Sequence, residues 1–133
     1  MHVMHPDDSS SLLAPTGRQI EIFAQTRLAG TVPVETAPLD AFVGPDDLRA
    51  PALLKLDVQG FELAALEGCA SLLDRFAAVY TEGSFVPLYA DQPLADEVLA
   101  HLCARGFRLV GVYNLAHDRD GRAVQTDFLC ERQ

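Results

Sequence analysis

Two carboxylates stand where an apolar run gives way to a helical pattern. The run Leu53–Leu56 predicts a short buried strand, Asp57 follows it, and Gly60 provides a permissive turn before Glu62. In an open α/β sheet, ligands bind at such strand-to-helix junctions. We therefore predict a binding or catalytic role for Asp57 and Glu62. The alternative is structural, because a carboxylate near a helix N-terminus also caps free N–H groups and complements the helix dipole.

A second strand ends in a carboxylate further along the chain. Phe76–Glu82 is a short apolar run, which is typical of a strand in a parallel sheet, and the segment Ser84–Tyr89 forms the loop after it. If the two strands are parallel neighbours, Glu82 lies at the same sheet edge as Asp57. Two carboxylates at one edge can orient a hydroxyl group and take its proton.

The predicted site joins residues from both junctions. Asp57 and Glu82 are the predicted catalytic residues, and the residues predicted to bind the substrate are Gln59, Glu62 and Tyr89. The alternatives are a solvated loop carboxylate for Glu82 and, for Tyr89, a loop aromatic that packs on the following helix. The histidines and cysteines do not have zinc-site spacing, so no metal site is predicted.

The remaining patterns predict the elements that must position this edge. A helix after Pro93 has apolar residues at i, i+3, i+4 and i+7, and Gly106 is its predicted end. Phe107–Tyr113 and Thr126–Glu131 are predicted strands joined by a polar connection. The last strand is expected to run antiparallel to the others. The predicted fold class is therefore α/β, with parallel strands and a terminal antiparallel hairpin.

The first part of the chain has weaker patterns. Residues 1–17 are rich in Ser, Pro, Asp and His and show no period, which favours a loop or a disordered segment. Residues 18–133 are predicted to form a single α/β domain. Within it, Arg18–Phe23 and Thr31–Thr36 show short alternating patterns that predict a hairpin or an edge strand.

Composition disfavours several classes of protein. With 49% hydrophobic residues, the chain is predicted to be globular. Its net charge of −9 disfavours binding to nucleic acid or to anionic membranes. The sequence contains neither an apolar run of the roughly 20 residues that cross a membrane nor a signal-peptide pattern at its start. A cytoplasmic location is therefore expected, with the cysteines as free thiols.

Several strings of the sequence resemble one known family. They are LLKLDVQGFELAALEGCASLL, AAVYTEGSFVPLYADQPL, ARGFRLVGVYN and QTDFLCER, which follow VPVETAPLDAF and together span about residues 32–132. They resemble the C-terminal half of the FkbM-family S-adenosylmethionine-dependent methyltransferases. The resemblance implies a class I, Rossmann-like methyltransferase fold and S-adenosylmethionine as cofactor. It also implies methyl transfer to an oxygen, here a hydroxyl of a small molecule or sugar.

The chain departs from this family in one respect. Members carry an upstream glycine-rich turn of the type D-x-G-A-N-x-G, whose glycines let the backbone approach the cofactor, and then a strand that ends in an acidic residue for the ribose. Neither occurs here, because the nine glycines are scattered singly. No cofactor-binding residue is therefore predicted. The alternative to an enzyme is a truncated, non-catalytic remnant or an assembly module of the same fold.

The missing motif also leads to an expectation about assembly. Without the cofactor-binding strands, Leu53–Leu56 is left with an apolar edge of unpaired backbone groups, and such edges recruit partners. We expect a homo-oligomer, a separate N-terminal half, or residues 18–36 folded across the gap. The other expected partner is a small-molecule acceptor.

Overall fold

The computed structural model describes residues 1–133, apart from the side chain of Asp7. The strands are β1 (His2–His5), β2 (Arg27–Thr31), β3 (Ala52–Leu56), β4 (Phe76–Ser84), β5 (Phe107–His117) and β6 (Ala123–Arg132). The helices are α1 (Gly17–Ile22), α2 (Glu62–Glu67) and α3 (Ala95–Ala104). Short 3-10 turns lie at Asp7–Ser9, Leu39–Ala41, Pro45–Asp47 and Leu73–Arg75. In the described part of the chain, the helices are all too short or too polar to cross a membrane.

The larger sheet has the strand order β3-β4-β6-β5. β3 and β4 are parallel neighbours, and β6 lies antiparallel between β4 and β5. β5 therefore runs in the same direction as β3 and β4. The prediction of an α/β sheet with a terminal antiparallel hairpin is confirmed. β5 and β6 are longer than the apolar patterns that predicted them, because the two strands pair with each other as far as His117 and Ala123.

The core lies between this sheet and the helices α2 and α3. Leu66 of α2 and Val98 of α3 are buried there against Val79 and Phe128 of the sheet. The helix predicted from its i, i+3, i+4 and i+7 pattern is confirmed as α3, and its apolar face contacts the core. Burial of apolar surface contributes about 25 cal/mol per Å², and this packing stabilises the strand ends on which the predicted site lies.

The N-terminal part of the chain differs from the predictions. Residues 1–17, predicted to be a loop or a disordered segment, contain β1 and a 3-10 turn, and Met4 of β1 is buried. β1 pairs with β2 in a separate two-stranded sheet. The prediction was wrong because a strand of four residues that pairs with a distant segment leaves no periodic pattern of its own.

The segment Arg18–Phe23, predicted as part of a hairpin or an edge strand, lies in α1 instead. Thr16 begins this helix, since its Oγ1 accepts a hydrogen bond from the Gln19 N–H at 3.3 Å. The same hydroxyl donates to the carbonyl oxygen of Leu88 at 2.9 Å. This spacing of threonine and glutamine matches a helix-capping pattern, which outweighs the short alternation. Of the segment Thr31–Thr36, also predicted as part of a hairpin or an edge strand, only Thr31 belongs to a strand, because β2 ends there.

Hydrogen bonds attach residues 1–31, which we call the N-terminal layer, to the carboxyl end of the larger sheet. Ser11 Oγ donates to the carbonyl oxygen of Gln59 at 2.6 Å. The hydroxyl oxygen of Tyr89 lies 3.0 Å from the carbonyl oxygen of Ser9, and its single proton is shared between this oxygen and a second acceptor, Gln59 Oε1. The N-terminal layer therefore covers the end of the sheet at which the predicted site lies.

The outer edge of β3 has no strand partner within the described residues. The expectation that residues 18–36 cover this edge is wrong, because β2 pairs with β1 rather than with β3. Leu53 on this strand is 59% exposed. Association through this edge, with a second copy or with another chain, stays a prediction.

Candidate functional site

The two predicted catalytic carboxylates lie near the carboxyl ends of neighbouring strands, Asp57 directly after β3 and Glu82 two residues before the end of β4. In the pairing of β3 with β4, Leu56 is opposite Thr81, so Asp57 and Glu82 each follow one residue later. The prediction that these two residues share a sheet edge is confirmed. Parallel pairing brings them together, because both strands have their carboxyl ends at the same edge.

Gln59 bridges the two carboxylates. Its Nε2 donates hydrogen bonds to Asp57 Oδ1 at 2.8 Å and to Glu82 Oε2 at 3.1 Å. On the other side of the amide, the hydroxyl of Tyr89 lies 2.8 Å from Gln59 Oε1 and donates to it. Because a hydroxyl donor faces Oε1 and two acceptors face Nε2, the amide has a defined orientation. These four predicted residues therefore form one hydrogen-bonded cluster.

Glu62 is bonded to the turn that carries Gln59. It is 2% exposed, and its Oε1 accepts hydrogen bonds from the N–H groups of Val58 at 3.3 Å and Gly60 at 3.2 Å. The turn requires such support, because Gln59 has a φ of +51° and Gly60 a φ of +92°, both in the left-handed region. These contacts correspond to the structural alternative for Glu62, and its contact with a substrate stays a prediction.

Burial and neighbouring acidic groups change the protonation of the cluster. Burial, followed by the negative charges of Asp57 and Glu62, raises the pKa of Glu82 to about 8. Burial also raises the pKa of Tyr89 and that of Glu62. Glu82 therefore changes its charge close to neutral pH, as a group that exchanges protons during a reaction does.

A cleft of about 310 Å³ opens beside Asp57, Gln59 and Glu82. Glu62 is connected to this edge through its hydrogen bonds to the turn that carries Gln59. Tyr89 is connected to it through its hydrogen bond to Gln59. The lining residues that the sequence did not predict are Pro6, Asp8, Ser9, Gln19, Phe23, Gln25, Thr26 and Gln125.

Most of the unpredicted lining residues belong to the N-terminal layer. They were missed because this layer was predicted to be a loop or disordered segment followed by a hairpin or an edge strand. The capping pattern of Thr16 and Gln19 is the signal that could have identified α1, and with it the position of Phe23 one turn later. No local signal marks Gln125, which reaches the cleft because β6 pairs with β4.

Comparison with known proteins assigns the chain to a family. The sequence model described as "Methyltransferase FkbM domain" matches residues 1–109, which is most of the chain. This chain belongs to the FkbM methyltransferase family. The family resemblance is confirmed, and the match additionally includes the N-terminal layer. The match ends within the string ARGFRLVGVYN, so the string QTDFLCER lies beyond it. No curated protein and no solved structure matches the sequence.

The part of this FkbM methyltransferase domain that matches the family includes all the predicted site residues, which are Asp57, Gln59, Glu62, Glu82 and Tyr89. The N-terminal layer, which forms the other wall of the cleft, is also part of the match. The arrangement can accept hydrogen bonds from a hydroxyl group through its carboxylates and can exchange a proton through Glu82.

Proposed function

We propose that this domain catalyses the S-adenosylmethionine-dependent methylation of a hydroxyl oxygen on a small molecule or sugar. Asp57 and Glu82 orient the acceptor hydroxyl, and Glu82 takes its proton. The observation that supports this most directly is the carboxylate pair beside the cleft, joined by Gln59 at 2.8 and 3.1 Å. Family membership supports methyl transfer as the reaction class.

The chain's own residues have two tasks in this reaction. They hold the acceptor oxygen toward the methyl group, and they accept the proton that its hydroxyl loses. When bound, S-adenosylmethionine would supply the methyl group, carried on a positively charged sulfur that would keep the electron pair of the broken bond. Asp57, together with Glu82 in its ionised form, would give this edge a negative charge that fits the positive sulfur.

The protonation of Glu82 determines the expected pH dependence. Because its pKa is about 8, the carboxyl group is mostly protonated at pH 7 and mostly ionised at pH 9. Only the ionised form accepts a proton, so turnover should rise as the pH increases through about 8. Asp57 is exposed, so its carboxylate is accessible to an acceptor hydroxyl, and its Oδ2 lies 3.2 Å from the Lys55 Nζ.

The test is the transfer of a labelled methyl group from S-adenosylmethionine to a panel of small hydroxyl compounds. We expect Glu82→Gln and Asp57→Asn each to lower turnover by about 10²-fold or more, with the circular dichroism spectrum unchanged. Glu131→Gln is the matched control, because Glu131 is exposed and lies near the opposite end of the β4–β6 pair.

Two outcomes would contradict the proposal. One is full turnover in both Glu82→Gln and Asp57→Asn. The other is the absence of methyl transfer together with the absence of calorimetric binding of S-adenosylmethionine to the chain.

A further inference from the structure

The cleft beside the carboxylates is lined by hydrogen-bonding groups and by negative charge. Three of its lining residues are acidic, namely Asp8, Asp57 and Glu82, and four are glutamines. Among the side chains that the structure describes, no lysine, arginine or histidine lines this cleft. The Lys55 Nζ lies 3.2 Å from Asp57 Oδ2 but does not line the cleft. A ligand in the cleft therefore contacts neutral amides and carboxyl groups, and the ionised carboxylates repel an anion.

Gln19 carries a hydrogen-bonding atom that lacks a partner. The residue lies on α1, is 2% exposed and lines the cleft. Its Oε1 has no hydrogen-bond partner among the described residues. Buried polar atoms in folded proteins are almost always paired, and a bound molecule is one way to pair them. A ligand that donates a hydrogen bond would satisfy this oxygen.

Phe23 adds an aromatic ring one helical turn after Gln19, and both line the cleft. A hydroxyl-rich ring has a polar rim and a face of C–H groups. The face packs on an aromatic side chain while the hydroxyls bond to amides and carboxylates. The volume of about 310 Å³ lies at the lower end of the roughly 300–1,000 Å³ that is usual for small-molecule sites, which suits a single ring.

We propose that this cleft binds an uncharged, polyhydroxylated ring of the pyranoside class and discriminates against the same ring carrying a carboxylate. The inference rests on the proposed function and specifies its acceptor. Hydroxyl groups donate to Gln19 Oε1 and to the carboxylates, and they accept from glutamine N–H groups such as that of Gln125. A carboxylate on the ring would lie close to Asp57 or Glu82 and would be repelled.

The test compares two ligands by NMR spectroscopy of the full chain. Methyl glucopyranoside and methyl glucopyranosiduronate have the same ring and differ in one exocyclic group, a hydroxymethyl in the first and a carboxylate in the second. We expect the uncharged ring to shift the side-chain amide signals of Gln19, Gln59 and Gln125. At pH 9, where Glu82 is mostly ionised, the carboxylate-bearing ring should bind at least about tenfold more weakly.

A variant and a matched control locate the binding. Gln19→Leu preserves the size of the side chain and removes an amide whose oxygen has no partner, so we expect the folded chain to persist. Its affinity for the uncharged ring should fall about fivefold or more. Gln133→Leu changes an exposed glutamine at the C-terminus and should leave the affinity unchanged.

Equal or tighter binding of the carboxylate-bearing ring would overturn the inference. A titration in which neither ring shifts the amide signals of the cleft would also overturn it. Methyl transfer is measured separately. Selective binding without transfer supports the inference and counts against the proposed function, whereas transfer to an anionic acceptor overturns the inference and leaves the proposed function standing.

Discussion

The two walls of the cleft are stabilised in different ways. The sheet wall consists of paired strands with a continuous apolar core, in which Leu66, Val79 and Phe128 are almost completely buried. The opposite wall, from the N-terminal layer, consists of short elements, and every residue of β2 is exposed. This layer is attached to the sheet through individual hydrogen bonds such as that from Ser11 to Gln59. A small apolar cluster adds to them, in which Leu13, Ile22 and Phe23 of the layer pack against Leu88, Tyr89 and Val124.

This difference suits the two walls to different tasks. A pair of carboxylates that must keep a fixed spacing requires strands that are immobilised by packing, and Asp57 and Glu82 lie on such strands. Side chains that select a ligand can lie on a layer that shares only a small apolar cluster with the sheet, because changes there do not disturb the main core. Gln19 and Phe23 lie on that layer.

The largest expected effect tests the difference in packing. Leu66→Ala removes a fully buried side chain, and we expect the free energy of unfolding to fall by about 2–5 kcal/mol. Leu28→Ala, at an exposed position of β2, is the matched control and should change it by less than about 0.5 kcal/mol. Urea denaturation measures both values. Equal losses would mean that the N-terminal layer is packed as tightly as the sheet.

An intermediate effect tests the electrostatics of the sheet wall. Burial and the charges of Asp57, Glu62 and Asp127 favour the protonated form of Glu82 in the folded chain. Because the pKa of Glu82 is higher in the folded chain than its ordinary value of 4.5, the folded state binds the proton more tightly. This stabilisation is complete below about pH 4.5 and is lost as the pH rises through about 8.

Glu82→Gln resembles the protonated side chain at every pH. We expect it to match the wild type in stability near pH 5 and to be more stable at pH 9 by about 1–3 kcal/mol, a range reduced to allow for solvent in the cleft. Denaturation at the two pH values measures the difference. If the variant and the wild type show the same pH dependence, Glu82 ionises in the folded chain as it does in water.

The smallest expected effect concerns the link between the walls. The hydroxyl of Tyr89 contacts both Gln59 Oε1 at 2.8 Å and the carbonyl oxygen of Ser9 at 3.0 Å. Tyr89→Phe removes this hydroxyl and should lower the free energy of unfolding by about 1 kcal/mol. Hydrogen exchange should accelerate more in the N-terminal layer than in β4.

Tyr113→Phe, at an exposed position of β5, is the matched control and should leave the exchange rates unchanged. An equal acceleration in both walls after Tyr89→Phe would contradict the view that this hydroxyl joins two separately stabilised regions.

Sequence patterns predicted the sheet wall well because its elements are buried along much of their length. Helical spacing of apolar residues predicted α3, and short apolar runs predicted β3 and β4, since buried faces require apolar side chains. The N-terminal layer has few buried apolar positions, such as Met4, and they show no regular spacing. The exposure of β2 along its whole length left no apolar pattern to detect, and α1 was recognisable only from its capping residues.

By itself, the sequence determined which chemical groups stand at the strand ends and to which family the chain belongs. Asp57 and Glu82 each follow an apolar run, and such local patterns are sufficient to position a residue at the end of a strand. Only the tertiary structure decided which groups meet, with Gln59 between the carboxylates and Gln19 at the cleft. These contacts, and the pKa of Glu82 near 8, depend on how distant segments pack and on the burial that results, which no local pattern records.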